Sequence, residues 1–146
     1  YEIGVRLVGS EMCIRDSRFM DQSIEMAKEK GFVTTLFGRR RMLPDITSRN
    51  AVVRGYAERN AINAPIQGTA ADIIKIAMNR IYRRFDREGI RSKMLLQVHD
   101  ELNFDVVPGE EDSVSRIVKE EMEAAFSGTV PLVADCGLGA NWLEAH

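Results

Sequence analysis

Met94-Leu95-Leu96-Gln97-Val98-His99-Asp100-Glu101-Leu102-Asn103-Phe104-Asp105-Val106 is the one stretch where an apolar strand pattern is interrupted by a cluster of ionisable residues. After the break, Leu102, Phe104 and Val106 alternate with Asn103 and Asp105, the period of a strand with one buried face. A shorter apolar strand precedes it. Two strands joined by two or three residues make a hairpin, so His99, Asp100 and Glu101 are expected at or beside a tight turn backed by packed sheet. A rigid carboxylate pair suits a divalent cation, since Mg²⁺ is held by one or two protein carboxylates plus waters and substrate phosphates. The plainer alternative is a solvated turn, where Asp and Glu are common because they bond the local backbone. A metal-dependent phosphohydrolase is disfavoured, because the only other histidine is the terminal His146.

Outward from this hairpin, the chain alternates helix and strand signals. Upstream, Ala70, Ile73, Ile74, Ala77, Met78, Ile81 and Phe85 form an amphipathic stripe, predicting a core helix capped near Thr69 and closed at Gly89. Pro65 is expected to break the preceding helix, leaving Gln67 and Gly68 in an elbow. That earlier helix, capped by Thr47 or Ser48 and running to about Asn63, has Val52, Val53, Tyr56 and Ala57 as its apolar stripe and Arg59 and Asn63 on another face. Phe32–Leu36 and Arg41–Leu43 predict a short hairpin turning at Gly38, with Arg39, Arg40 and Arg41 on its far side. Three arginines suit phosphate, whose oxygens match the guanidinium fork, or serve as the charge that keeps an edge strand soluble. A helix from Ser17 to Lys30 is expected to stop at Gly31.

Downstream, Pro108 stands where a first helical residue belongs, with Glu110, Glu111 and Asp112 complementing the helix dipole. Val114, Ile117, Val118, Met122, Ala125 and Phe126 give that helix its buried face. Leu132, Ala134, Cys136 and Leu138 then alternate as a third strand. Helices and strands segregate, so the fold class is α+β: a small three-stranded antiparallel sheet packed by helices, plus an arginine-rich β-hairpin.

A length of 146 residues suits one domain with a real core. The chain begins at Tyr1 and reads as a soluble piece of a larger protein, with no apolar run long enough for a membrane span or signal. Cys13 and Cys136 have no metal-ligand spacing, and reduced, cytoplasmic thiols are expected. The net charge of -2 hides an asymmetry: Lys28 to Arg59 holds eight basic residues against three acidic, and Asp100 to Glu123 nine acidic against two basic. The first segment invites phosphate and the second repels it unless a cation intervenes; two solvated faces are the plainer alternative. Residues 1–17 form a separate problem. Val8 to Ser17 resembles the translated adapter read-through found at the ends of environmental sequence assemblies, so 1–17 is expected to be a non-native or disordered leader, with 18–146 the domain proper.

Three runs occur in one order: Gly38-Arg39-Arg40-Arg41-Met42-Leu43-Pro44-Asp45, then Ala57-Glu58-Arg59-Asn60-Ala61-Ile62-Asn63-Ala64-Pro65-Ile66-Gln67-Gly68-Thr69-Ala70-Ala71-Asp72, then Gln97-Val98-His99-Asp100-Glu101. Together they resemble the C-terminal part of the bacterial family A DNA polymerases. The likeness extends from about Phe19 to the closing Gly139-Ala140-Asn141-Trp142-Leu143-Glu144-Ala145-His146.

The resemblance implies that Gln97–Glu101 is the palm motif of that family. Asp100 is then the aspartate that ligates catalytic Mg²⁺, Glu101 its supporting carboxylate, and His99 a neighbour of the primer terminus. Arg59, Asn63 and Gln67 match polar contacts to template and primer, which suit minor-groove acceptors that every base pair presents. The hairpin arginines belong to the fingers side. The implied reaction is DNA-directed DNA synthesis with two metal ions, one activating the primer 3′-hydroxyl and one stabilising the pyrophosphate. The implied partners are primer-template DNA and deoxynucleoside triphosphates, in a monomeric cytoplasmic bacterial parent. The sequence departs from the family in lacking the upstream palm aspartate and the nucleotide-gripping fingers helix, so the 146-residue chain alone is expected to be inactive. A non-catalytic nucleic-acid-binding module, its carboxylates serving only the turn, is the competing reading. A third is an assembly product with no independent life.

Overall fold

The computed structural model describes residues 2–7 and 15–145, with side chains from Arg18 onward. In chain order the elements are β1 (Glu2–Leu7), α1 (Arg15–Lys30), β2 (Phe32–Thr34), β3 (Arg40–Met42), a 3-10 turn (Pro44–Thr47), α2 (Ala51–Glu88), β4 (Lys93–Val98), β5 (Glu101–Asp105), α3 (Glu111–Glu123), β6 (Ala134–Gly139) and α4 (Trp142–Ala145). They divide into two units, one of Tyr1–Gly9 with Ile73–His146 and one of Ser10–Asp72. No helix among the described residues is long and apolar enough to cross a membrane.

The mixed helix-and-strand character follows the expectation, but the sheet of the first unit has four strands, not three. Its order is β4-β5-β1-β6, all antiparallel, and β5 and β6 are not neighbours. β1 lies between them, with Gly4 opposite Asn103 on one side and Gly137 on the other. The leader set aside in the sequence thus contributes a strand and the first residues of α1, while residues 8–14 of the adapter-like run lie outside the described residues.

Leu102 and Phe104 of β5 point to the helical side of this sheet, where they meet Ile74, Ala77, Ile81 and Phe85 of α2 and Val114, Ile117, Val118 and Met122 of α3. The Phe85 and Phe104 rings pack at 5.9 Å in a tilted pair. Full burial of each such side chain contributes about 1.5–3 kcal/mol. Arg84 ties the two helices together, its guanidinium meeting Glu88 and Glu120 at 2.7 Å and Glu121 at 3.0 Å.

Pro108 does not open α3. Glu110 N–H donates to Val107 O at 3.0 Å and Gly109 has φ +94, so Pro108 and Gly109 are the central pair of a type II turn. The helix starts at Glu111 and stops at Glu123, short of Phe126. Glu110 faces away from the dipole role expected of it: its carboxylate accepts the Ser92 hydroxyl (2.6 Å), the Ser92 N–H (2.9 Å) and the Arg91 N–H (3.1 Å). These bonds, the Ser92 hydroxyl foremost, hold its carboxyl down to about 2.

In the second unit, α1 stops at Gly31 (φ +75) as expected, and Gly38 (φ +81) turns the β2–β3 hairpin. Ala27, Val33, Leu43, Ile46, Ala57 and Ala61 form its core. Asn50, rather than Thr47 or Ser48, caps α2 by accepting the Val52 N–H at 3.0 Å. The expected apolar stripe of this helix is misassigned: Ala57 is buried, but Val52 and Tyr56 are 79% and 63% exposed.

The expected elbow at Pro65 is absent, and α2 runs through it. Pro65 deprives the Ala61 carbonyl of its helical donor, a defect that breaks an isolated helix. Tertiary contacts hold this one. Thr69, far from capping a new helix, donates its hydroxyl to Pro65 O (2.6 Å) and accepts the Leu36 N–H (3.0 Å). Arg39 donates to Gly68 O at 3.0 Å and pairs with Asp72 at 2.8 Å. The hairpin thereby clamps the helix turn after the proline. Gly68 makes the approach possible, since a Cβ there would lie 2.6 Å from Thr35 Cγ2.

Candidate functional site

The β4–β5 hairpin has a two-residue loop, His99-Asp100, flanked by the Val98–Glu101 pair. His99 adopts φ +53, a left-handed conformation that non-glycine residues enter at a cost and that concentrates at functional sites. Gln97 steadies the loop, its Nε2 donating to His99 O at 2.7 Å. Gln97, His99 and Asp100 are exposed.

Strand alternation then separates the two carboxylates. Asp100, in the loop, faces solvent. Glu101, the first residue of β5, is 7% exposed and accepts the Trp142 indole N–H at 2.8 Å. Asn103, two residues on and 2% exposed, shares the Glu101 face, and its side-chain amide has no hydrogen-bond partner among the described residues. Opposite it in β1 stands Gly4, which has no side chain to offer.

The second unit carries the other predicted residues. Arg59, Asn63 and Gln67 are all exposed on α2, one turn apart along the uninterrupted helix. Tyr56 and Ile66 lie on the same stripe; counting three and four residues from Arg59 and Asn63 exposes them in the sequence, but their apolar character suggested burial. The three arginines do different things. Arg39 is engaged by Asp72 and Gly68, Arg40 lies over the Phe32 ring at 4.8 Å, and Arg39, Arg40 and Arg41 line a pocket of about 180 Å³ with Thr35, Gln67 and Gly68. Gln67 and the hairpin arginines are therefore brought together, whereas Asp100 and Glu101 belong to the other unit.

The donor set of the turn suits a hard cation in kind, with Asp100 free to ligate. It does not complete a site: among the described residues no three His, Cys, Asp or Glu side chains gather around a common point.

One unit presents an exposed aspartate at a hairpin turn on an antiparallel sheet backed by two helices, and the other presents Arg59, Asn63 and Gln67 along an exposed helix face, which makes this an α+β chain. The family model of DNA polymerase family A matches residues 14–144, and the chain belongs to that family. It is 52% identical over 127 residues to a DNA polymerase I of Streptococcus pneumoniae serotype 4, covering 87% of this chain and 14% of that protein. Against DNA polymerase I of Caldicellulosiruptor bescii it is 48% identical over 126 residues, covering 86% and 15%. Its structure resembles the POL domain of Pol1 from M. smegmatis, solved in complex with DNA primer-template and dNTP, at a TM-score of 0.86 and 44% identity, covering 88% of this chain and 23% of that one. The chain thus spans about one seventh of the length of these curated relatives.

Proposed function

We propose that this chain contributes a metal-bearing turn and a DNA-contacting helix face to template-directed DNA synthesis by a bacterial DNA polymerase of family A. The observation that carries the reading is the separation of Asp100, exposed in the turn, from Glu101, buried behind it. Asp100 serves as one carboxylate ligand of Mg²⁺, and further ligands come from outside the described residues. Asp100 would hold such an ion, which would supply Lewis-acid chemistry toward the primer hydroxyl, with a second ion serving the pyrophosphate. Arg59, Asn63 and Gln67 line the primer-template, His99 and Gln97 sit beside the primer terminus, and Arg39, Arg40 and Arg41 meet backbone phosphate. Deoxynucleoside triphosphates are the co-substrate, and the parent is a cytoplasmic monomer. The family match covers residues 14–144, and residues 18–146 are read as the domain of that family.

In the full-length parent, Asp100→Ala is expected to lower nucleotide incorporation by at least about 10³-fold, while primer-template binding changes less than about threefold. Unchanged incorporation would refute the assignment. For the chain taken alone, the hydrogen bond that engages Glu101 with the Trp142 indole favours a second reading, a module that binds nucleic acid without chemistry, its carboxylates serving the turn. Incorporation by the parent carrying Asp100→Ala distinguishes the two, a loss supporting the metal-bearing turn and unchanged incorporation the binding module, while the purified 146-residue chain is expected to give no primer extension under either.

A further inference from the structure

The end of the chain is a small body fixed to the sheet at both ends. Asn141 caps α4: its Oδ1 accepts the Glu144 N–H at 3.1 Å, while the Glu144 carboxylate accepts the Ala140 N–H and the Asn141 Nδ2, each at 3.0 Å. These bonds stabilise a helix too short to persist unaided. Ala145 is buried where β6 carries Gly137 and Gly139. A Cβ on Gly137 would overlap the Ala145 carbonyl, and one on Gly139 would meet the backbone of Ala145 and Glu144 at 2.7 Å. Both glycines are required for α4 to lie on that face. The Trp142 side chain therefore leaves a backbone held from two sides, and its indole N–H reaches Glu101 Oε1 at 2.8 Å.

The indole bond contributes to holding Glu101 in place, because a buried carboxylate is costly unless hydrogen-bonded and a bond to a charged acceptor is about twice as strong as a neutral one. It is also the residue on which the loop is hinged. It pairs with Val98 across the hairpin and directly follows Asp100, next to the strained His99 backbone. Fixing its side chain fixes the strand end from which Asp100 projects.

We propose that Trp142 is a positioning residue for the His99-Asp100 turn: α4 latches Glu101 to the sheet through the indole N–H and leaves Asp100 as the carboxylate presented outward. The latch is a property of this chain's own residues. Its consequence for metal binding rests on the reading of Asp100 given above, which incorporation by Asp100→Ala tests separately.

The chain holds one tryptophan, so its indole proton gives a single resonance. In the 146-residue chain this proton is expected to exchange with solvent about 10-fold more slowly than in the unfolded chain, or slower still. Trp142→Phe keeps an aromatic ring and removes the donor. It is expected to speed amide exchange at Asp100 and Glu101 by about 10-fold while Leu102, Phe104 and Ile117 change less than about twofold. Unaltered exchange in the turn overturns the proposal, and so does equal acceleration at all five positions, which marks a merely global loss of stability. Should the variant fail to fold, indole exchange in the unsubstituted chain decides: an unprotected proton rejects the latch and a protected one supports it.

Discussion

Glu110 shows how one side chain can take a role that its position disguises. Two residues after Pro108 it reads as a helix-dipole acid, but its three bonds to Arg91 and Ser92 tie the start of β4 to the turn before α3. Because folding lowers its pKa from 4.5 to about 2, the stabilisation is fully present above pH 4.5 and is lost as pH falls toward 2. Acid unfolding of Glu110→Gln is therefore expected to show a flatter dependence than the parent chain across that window, measured by circular dichroism. Asn103 is the opposite case, a buried amide with nothing to bond among the described residues. Exchanging it for valine removes that desolvation cost and suits a strand, so Asn103→Val is expected to raise stability by about 1–2 kcal/mol in urea titration. Neither partner set is visible along the sequence, since Glu110 reaches back 18 or 19 residues and Asn103 depends on which strand lies beside it.

At the scale of the element, α2 is the instructive case. Its second half was legible, because Ile73, Ile74, Ala77, Ile81 and Phe85 keep helical spacing and are buried as that spacing predicts. The first half was not, because Val52 and Tyr56 carry apolar side chains on the outer face. The continuity through Pro65 was hidden for a different reason: local rules forbid it, and the hairpin contacts of Thr69, Gly68 and Arg39 supply what those rules omit. Two outcomes follow for thermal or urea unfolding. Pro65→Ala restores a donor to the Ala61 carbonyl and is expected to stabilise, by up to about 3 kcal/mol. Gly68→Ala, although the better helix former, forces a Cβ against Thr35 and is expected to destabilise by about 1–3 kcal/mol.

For the whole molecule, the charge asymmetry sorts into structural and available groups. Of the acidic run, Glu110, Glu120, Glu121 and Glu123 are consumed by bonds to Ser92, Arg84 and the Ala134 N–H, so the run is mainly architecture and Asp100 stands apart from it. Of the basic segment, Lys28 pairs with Glu58, Arg39 with Asp72, and Arg54 bonds the Ser48 carbonyl, leaving Lys30, Arg40, Arg41, Arg49 and Arg59 exposed. Duplex DNA binding by the chain is accordingly expected to weaken with salt, and removing Arg41 or Arg59 should each reduce the slope of log K against log salt by about 0.9. An unchanged slope in both variants would place the phosphate contacts elsewhere.

What could be read along the chain was whatever depends on neighbours within a turn or a strand: the α+β class, the hairpin that exposes Asp100, the glycine stops, the core stripes and the words that identify the family. Residues 1–17 were not legible: neither steady alternation nor a helical stripe marked a strand there, and the adapter-like run argued for setting the whole leader aside. Tertiary structure decided the rest: the fourth strand between β5 and β6, the survival of α2 across Pro65, and the seating of Trp142 on Glu101. Each of these joins groups between 29 and about 130 residues apart, and periodicity reports which face a side chain occupies but not which distant atom meets it.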